Sequence, residues 1–150
     1  MFFLEGLDAD TIFIAVGGGG LIAGAMAWLQ GKRKIVAVEP ETSCALCAAM
    51  EAGKPMDVKV SGIAADSLGA KRIGKICFDL AQEQSIETLI VSDNAIVDAQ
   101  KLLWQNLRQY VEPAGATALA ALTSGIYKPE ADEKVAVLVC GANPAPPFAK

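Results

Sequence analysis

Four consecutive glycines, Gly17 to Gly20, are the feature of this sequence that most directly indicates chemistry. They follow the apolar run TIFIAV (11–16) and precede the alanine-rich run LIAGAMAWLQ (21–30). Because glycine is unfavourable inside a regular element, such a run indicates an unusual turn or the close approach of another group to the backbone. A strand that passes through glycines into a helix presents free N–H groups and the positive end of a helix dipole. The predicted chemistry is the binding of a phosphate.

The residues after the glycines limit which phosphate motifs are compatible. A P-loop is excluded because neither Lys-Ser nor Lys-Thr follows the glycines. A loose dinucleotide fingerprint, Gly-x-Gly-x-x-Ala, fits Gly18, Gly20 and Ala23, and Glu39 supplies an acid about 20 residues further on. A tight strand-to-helix turn without a ligand is the third possibility. The residues favour a phosphate site and leave the other two interpretations open.

The sequence contains no histidine, which limits the acid–base chemistry available to it. Ser-His-Asp and Cys-His mechanisms are therefore excluded for this chain on its own. Cys44 and Cys47 stand one helical turn apart, which is the spacing of a redox pair. Their apolar flanks favour the alternative that both are small buried side chains. Any proton transfer must use Lys, Asp, Glu, Tyr, Cys or a cofactor.

Composition excludes several classes of protein. The 150 residues are 53% hydrophobic with a net charge of −4, and the longest basic block is KRK (32–34), so nucleic acid is not an expected partner. No apolar run reaches the roughly 18 residues of a membrane span, and the start does not resemble a signal peptide. The four cysteines do not form a disulfide framework. We expect a cytoplasmic protein with reduced thiols and one α/β domain over residues 1–150.

The elements that position the glycines alternate along the chain. Apolar strands are predicted near 11–16, 34–39, 87–91 and 134–139. Helices are predicted near 21–30, 41–53, 94–110 and 112–125, with a loop and a short helix within 63–84. Strands that are apolar throughout indicate burial on both faces. The fold class predicted is α/β, a parallel sheet with helices on both faces.

Five segments in order resemble one family. They are GGGGLIAG (17–24), VEPE (38–41), SGIAADSLG (61–69), VEPAGATALAAL (111–122) and VLVCGAN (137–143). Together they resemble the serine/threonine dehydratase group of pyridoxal-phosphate enzymes, which have fold type II, that of the tryptophan synthase β superfamily. The resemblance covers residues 10–143 and implies pyridoxal 5'-phosphate as the cofactor. It implies that the chain corresponds to part of the large domain of such an enzyme.

The resemblance also implies site residues. The backbone of the loop that binds the cofactor phosphate corresponds to Gly17, Gly18, Gly19, Gly20 and Leu21. Cys140 matches the Ser or Cys that faces the pyridine nitrogen, and Asn143 closes the same turn. Glu112 matches an acid near the cofactor ring.

A divalent-cation site found in some relatives is matched only in part. Glu39 corresponds to its carboxylate and Ser43 to its backbone carbonyl, but Ala45 stands where an Asp is usual. One carboxylate is a poor site for a hard cation. We therefore expect no metal here, with Glu39 as the one weak candidate.

The Schiff-base lysine of the family lies in an N-terminal half that this sequence does not match. No lysine of the chain falls in a corresponding motif, so no catalytic residue is assigned. The expectation is a half of a dehydratase-like ammonia-lyase that is inactive alone and needs a complementary N-terminal half to act on an amino acid. The alternative is a non-catalytic, self-associating binding protein that retains the fold. In both cases apolar surface left uncovered predicts a homodimer or a higher homo-oligomer.

Overall fold

The computed structural model describes residue 4 and residues 6–142. Within this part of the chain, four strands alternate with six helices. The strands are β1 (Thr11–Ala15), β2 (Lys34–Pro40), β3 (Glu87–Val91) and β4 (Val135–Val137). The helices are α1 (Gly20–Leu29), α2 (Ala45–Ala52), α3 (Ala65–Leu68), α4 (Lys75–Glu83), α5 (Asp93–Leu107) and α6 (Pro113–Thr123).

The strands form one parallel sheet in the order β3-β2-β1-β4. Every residue of β1 is buried, as its apolar sequence predicts for the centre of a covered sheet. The predicted α/β class with a parallel sheet is therefore confirmed. β4 is shorter than its predicted range, although Leu138 N–H still donates to the carbonyl oxygen of Phe13 at 3.0 Å.

Helices cover both faces of the sheet, and the alternation of side chains along β1 shows this directly. Ile12 and Ile14 pack into one apolar cluster with residues of α1, α2 and α4. Phe13 and Ala15 point to the opposite face and pack with residues of α5 and α6. The carboxyl ends of all four strands consequently meet at one edge, between the helix layers.

Two helix boundaries differ from the prediction. The helix expected from residue 41 begins at Ala45, because a turn in which Ser43 N–H donates to the carbonyl oxygen of Pro40 comes first. The segment 63–84 contains two helices, α3 and α4, instead of a loop and one helix. The stretch between them includes Gly69 and Gly74, and Gly74 N–H donates to the carbonyl oxygen of Gly18.

The start of α5 agrees with the prediction. The hydroxyl of Ser92 accepts a hydrogen bond from Ala95 N–H, which makes Ser92 the N-cap, one of the two residues expected in that role.

None of the helices in the described range combines the length and the apolar character that crossing a bilayer requires.

Candidate functional site

A cavity of about 290 Å³ lies at the carboxyl end of β1. Its wall brings together the predicted site residues Gly17, Gly18, Gly19, Gly20, Leu21, Glu112 and Cys140. Asn143, the remaining predicted site residue, lies outside the described residues. Segments that are far apart in sequence thus converge where the strands of an α/β sheet commonly present a ligand.

The glycine loop approaches the cavity as the N-terminus of α1. Gly19 is the N-cap, with a φ of +88°, and Gly20 is the first helical residue. A Cβ atom on Gly19 would lie 2.6 Å from Sγ of Cys77, so both the backbone conformation and the packing require glycine. Across the described residues, none of the N–H groups from Gly17 to Ile22 donates to a protein acceptor. The loop therefore presents several free donors together with the positive end of a helix dipole.

Cys140 and Glu112 lie on the cavity wall beside the first turn of α6. Glu112 is the N-cap of α6, and its N–H donates to the carbonyl oxygen of Gly141 at 3.2 Å. Burial raises the pKa of the Cys140 thiol, and the nearby charge of Glu112 raises it further. At neutral pH the group at this position is consequently a neutral thiol, which can share a hydrogen bond but carries no charge.

Ser67 lines the same cavity and was not singled out from the sequence. Its hydroxyl oxygen is buried and has no hydrogen-bond partner in the described structure. A buried hydroxyl without a partner is costly, so such groups mark places where something else binds. Its place in SGIAADSLG, one of the five segments quoted above, was the available signal, but sequence alone does not show that the side chain has no internal partner.

Glu39 lies outside this wall, at the end of β2, and it is fully buried. Its two carboxylate oxygens accept hydrogen bonds from the N–H groups of Leu46 and Cys47, both at 2.8 Å. Burial raises the pKa of this carboxyl group to about 7, against the opposing effect of these hydrogen bonds. Glu39 thus caps the N-terminus of α2, whose own N-cap, Cys44, makes no side-chain hydrogen bond. Within residue 4 and residues 6–142, no cluster of His, Cys, Asp and Glu side chains is arranged to hold a metal.

The cysteine pair has the features of packed thiols. Cys44 and Cys47 are free and half-buried, and burial raises the pKa of both. A reactive pair needs a lowered pKa, because the thiolate is the nucleophile. These contacts favour the structural interpretation of the pair over a redox role.

The fold and the cavity together define an α/β protein with an anion-binding glycine loop at the carboxyl edge of a parallel sheet. The family of pyridoxal-phosphate dependent enzymes matches residues 4–141, and the chain belongs to that family. The chain is 40% identical over 138 residues to the biosynthetic L-threonine dehydratase IlvA of Salmonella typhimurium. It is 35% identical over 137 residues to the phenylserine dehydratase of Ralstonia pickettii.

Solved structures give the same result. A bacterial threonine deaminase, from T.th., superposes with a TM-score of 0.82 at 30% identity, and maize serine racemase with a TM-score of 0.85 at 29% identity. These matches cover 95% and 97% of this chain. The sheet is therefore that of the fold type II pyridoxal-phosphate enzymes, as the resemblance implied.

The chain spans only part of the proteins it matches. The match takes in 89% of this chain but 27% of the threonine dehydratase and 42% of the phenylserine dehydratase. It corresponds to 53% of the threonine deaminase chain and 47% of the serine racemase chain. Among the described residues no lysine lines the glycine-loop cavity. Homology to these enzymes is thus established for a segment that carries one wall of a site.

Proposed function

We propose that this chain is the phosphate-binding half of a serine/threonine dehydratase-like ammonia-lyase that uses pyridoxal 5'-phosphate. The observation that carries the proposal is the convergence of the glycine loop, Glu112 and Cys140 on one cavity. A complementary N-terminal half would supply the lysine, and a β-hydroxy amino acid such as serine or threonine would be the substrate. Free thiols are compatible with a cytoplasmic setting, which we include in the proposal.

The residues present are suited to this cofactor. The unpaired N–H groups from Gly17 to Ile22 would hold the phosphate group, since they combine several donors with the dipole of α1. The buried, unpartnered hydroxyl of Ser67 adds a further polar group to the same wall. The side chain of Leu21 would close the cavity next to the loop.

When bound, pyridoxal phosphate supplies an electron-accepting ring that makes the α-proton of an amino acid acidic. The role we assign to Cys140 is to face the ring nitrogen as a neutral thiol, because its raised pKa keeps the proton on sulfur. A neutral group there does not hold a full positive charge on the ring as a carboxylate would. Glu112 would lie on the same side of the cavity, beside Cys140 and Gly141.

A second candidate function is a non-catalytic protein that keeps the fold and associates with itself. Its support is apolar surface that this part of the family's fold leaves uncovered. Leu107 on α5 is 62% exposed and Ile76 on α4 is 73% exposed. The outer edge of β4 pairs with no other described strand.

Formation of 2-oxo acid from serine or threonine separates the two candidates. The assay is run with cofactor on the 150-residue chain alone and after mixing with the lysine-bearing half of a related threonine dehydratase. Turnover that appears only in the mixture supports the half-enzyme. Binding of cofactor or phosphate without any turnover in the mixture supports the non-catalytic alternative, and absence of phosphate binding contradicts the anion site itself.

A further inference from the structure

We propose that Ser67 is a ligand-binding residue whose hydroxyl donates a hydrogen bond to an anionic oxygen of the molecule bound at the glycine loop. The inference rests on the proposed function, because it assumes that the loop holds a phosphorylated ligand. It adds a side-chain donor to a site otherwise built from backbone N–H groups.

The position of Ser67 relative to the loop is fixed by its neighbour. A Cβ atom on Gly17 would lie 3.0 Å from the Cα atom of Leu68, so the end of α3 packs directly against the first glycine. Ser67 precedes Leu68 and lines the cavity that the four glycines line. Its hydroxyl is therefore on the same wall as the free N–H groups and can reach the same ligand.

The backbone around Ser67 is held from several directions. Leu68 N–H donates to the carbonyl oxygen of Ala64 at 2.7 Å, and Ser67 N–H donates to the same oxygen at 3.1 Å. The carbonyl oxygen of Leu68 accepts from the Ser43 hydroxyl at 3.0 Å and from Ala70 N–H at 2.9 Å. The side chain of Leu68 is buried in the core beneath α6. A donor that is fixed in this way needs little ordering when a ligand binds.

The hydroxyl itself provides the chemical argument. Ser67 Oγ is buried without a hydrogen-bond partner, while the other buried side-chain oxygens and nitrogens of the described residues are paired. Such a group is destabilising in the empty chain and becomes satisfied when an anionic oxygen enters the cavity. Two oxygens fit this chemistry, that of the phosphate and that of a substrate carboxylate.

The test uses the ¹⁵N-labelled 150-residue chain and follows the amide signals of Gly17 to Gly20 by NMR. Inorganic phosphate is titrated first, and acetate is then titrated at saturating phosphate. Ser67→Ala should weaken one of the two anions about tenfold, and Ser67→Cys, which keeps the size but donates weakly, should do the same. Ser67→Thr should retain most of the affinity. Ser61→Ala is the matched control, because Ser61 is exposed and lies outside the cavity.

Loss for phosphate assigns Ser67 to the phosphate group, and loss for acetate assigns it to a carboxylate. Unchanged affinity for both anions in Ser67→Ala and Ser67→Cys overturns the inference while leaving the proposed function intact. Failure of the wild-type chain to bind phosphate overturns the proposed function as well. As an independent readout, Ser67→Ala should raise the melting temperature of the ligand-free chain by about 2–4 °C, since it removes an unsatisfied buried hydroxyl. A lowered melting temperature would show an internal partner and contradict the inference.

Discussion

The hydroxyl group of Ser43 donates a hydrogen bond to the carbonyl oxygen of Leu68 at a distance of 3.0 Å, and both residues are buried. Ser43 lies between β2 and α2, whereas Leu68 ends α3 beside the glycine loop. This bond joins two parts of the chain that are 25 residues apart. It holds the wall of the candidate site that carries Ser67.

Ser43→Ala should therefore destabilise the chain by about 1 kcal/mol. The cost stays moderate because the carbonyl oxygen of Leu68 still accepts from Ala70 N–H. Urea unfolding followed by circular dichroism measures the change, with the exposed Ser61→Ala as control. Equal midpoints for Ser43→Ala and the wild type would show that the bond contributes nothing.

Gly18→Val should abolish most of the phosphate affinity with little change in circular dichroism. The nearest atom to a Cβ at this position is Cβ of Ala70 at 3.9 Å, so the fold has room for a side chain. The added side chain would instead crowd the free N–H groups that face the cavity. Calorimetric titration with inorganic phosphate measures the effect. Ala27→Val, at an exposed position further along α1, is the control, and equal affinity in the two variants would contradict the cradle.

Much of the sheet could be predicted because its determinants are local. β1 and β2 are continuous apolar runs, and each is followed within a few residues by a turn. A parallel arrangement then brings the glycine loop and Cys140 to one edge without further information. The resemblance supplied the chemical roles, which neither length nor periodicity could indicate.

The remaining features depend on contacts between distant segments. The start of α2 at Ala45 follows from Glu39, whose carboxylate caps the helix from the end of a strand. The side chain of Ser43, a residue type that commonly caps helices, is instead bonded to Leu68. Ser67 differs from other serines only in having no internal partner, and this property exists only in the folded chain. Tertiary packing therefore decides these features.

Glu39 should make the stability of the chain depend on pH between about 4.5 and 7. Its carboxyl group has a pKa of about 7 when folded and an ordinary value of 4.5, so the folded state holds an extra proton between these values. The free energy of unfolding therefore falls as the pH rises through this range, by about 3 kcal/mol, and is insensitive to this group above it. Glu39→Gln should remove this slope, because the amide does not ionise.

Urea unfolding at about pH 5 and about pH 7.5, on either side of most of this titration, provides the measurement for this prediction. Glu41→Gln is the control, because Glu41 is exposed and follows β2 by one residue, and it should keep the wild-type slope. The same slope in Glu39→Gln and Glu41→Gln would show that Glu39 is not the group responsible.

The 150-residue chain should associate with itself when no complementary half is present. Near the end of α5, Trp104 and Leu107 are exposed, and the ring of Trp104 meets that of Tyr110 edge-on at 6.1 Å between centroids. Apolar surface favours burial by roughly 25 cal/mol per Å², and a two-fold dimer is the simplest way to cover it. Light scattering on the purified chain measures the mass. A monomer of 15.6 kDa over a wide concentration range would contradict the prediction.

The chain by itself should not convert serine or threonine to a 2-oxo acid, even with added pyridoxal phosphate. The resemblance places the required lysine in a half that this chain does not match, and no lysine of the described residues lines the glycine-loop cavity. Histidine is absent from the sequence, so the commonest alternative proton acceptor is missing too. A coupled assay for pyruvate and 2-oxobutyrate measures turnover, with phosphate binding to the same preparation as proof that the loop is intact. Sustained turnover by the pure chain would show that one of its own lysines reaches the cofactor and would overturn the assignment of the chain as half of a site.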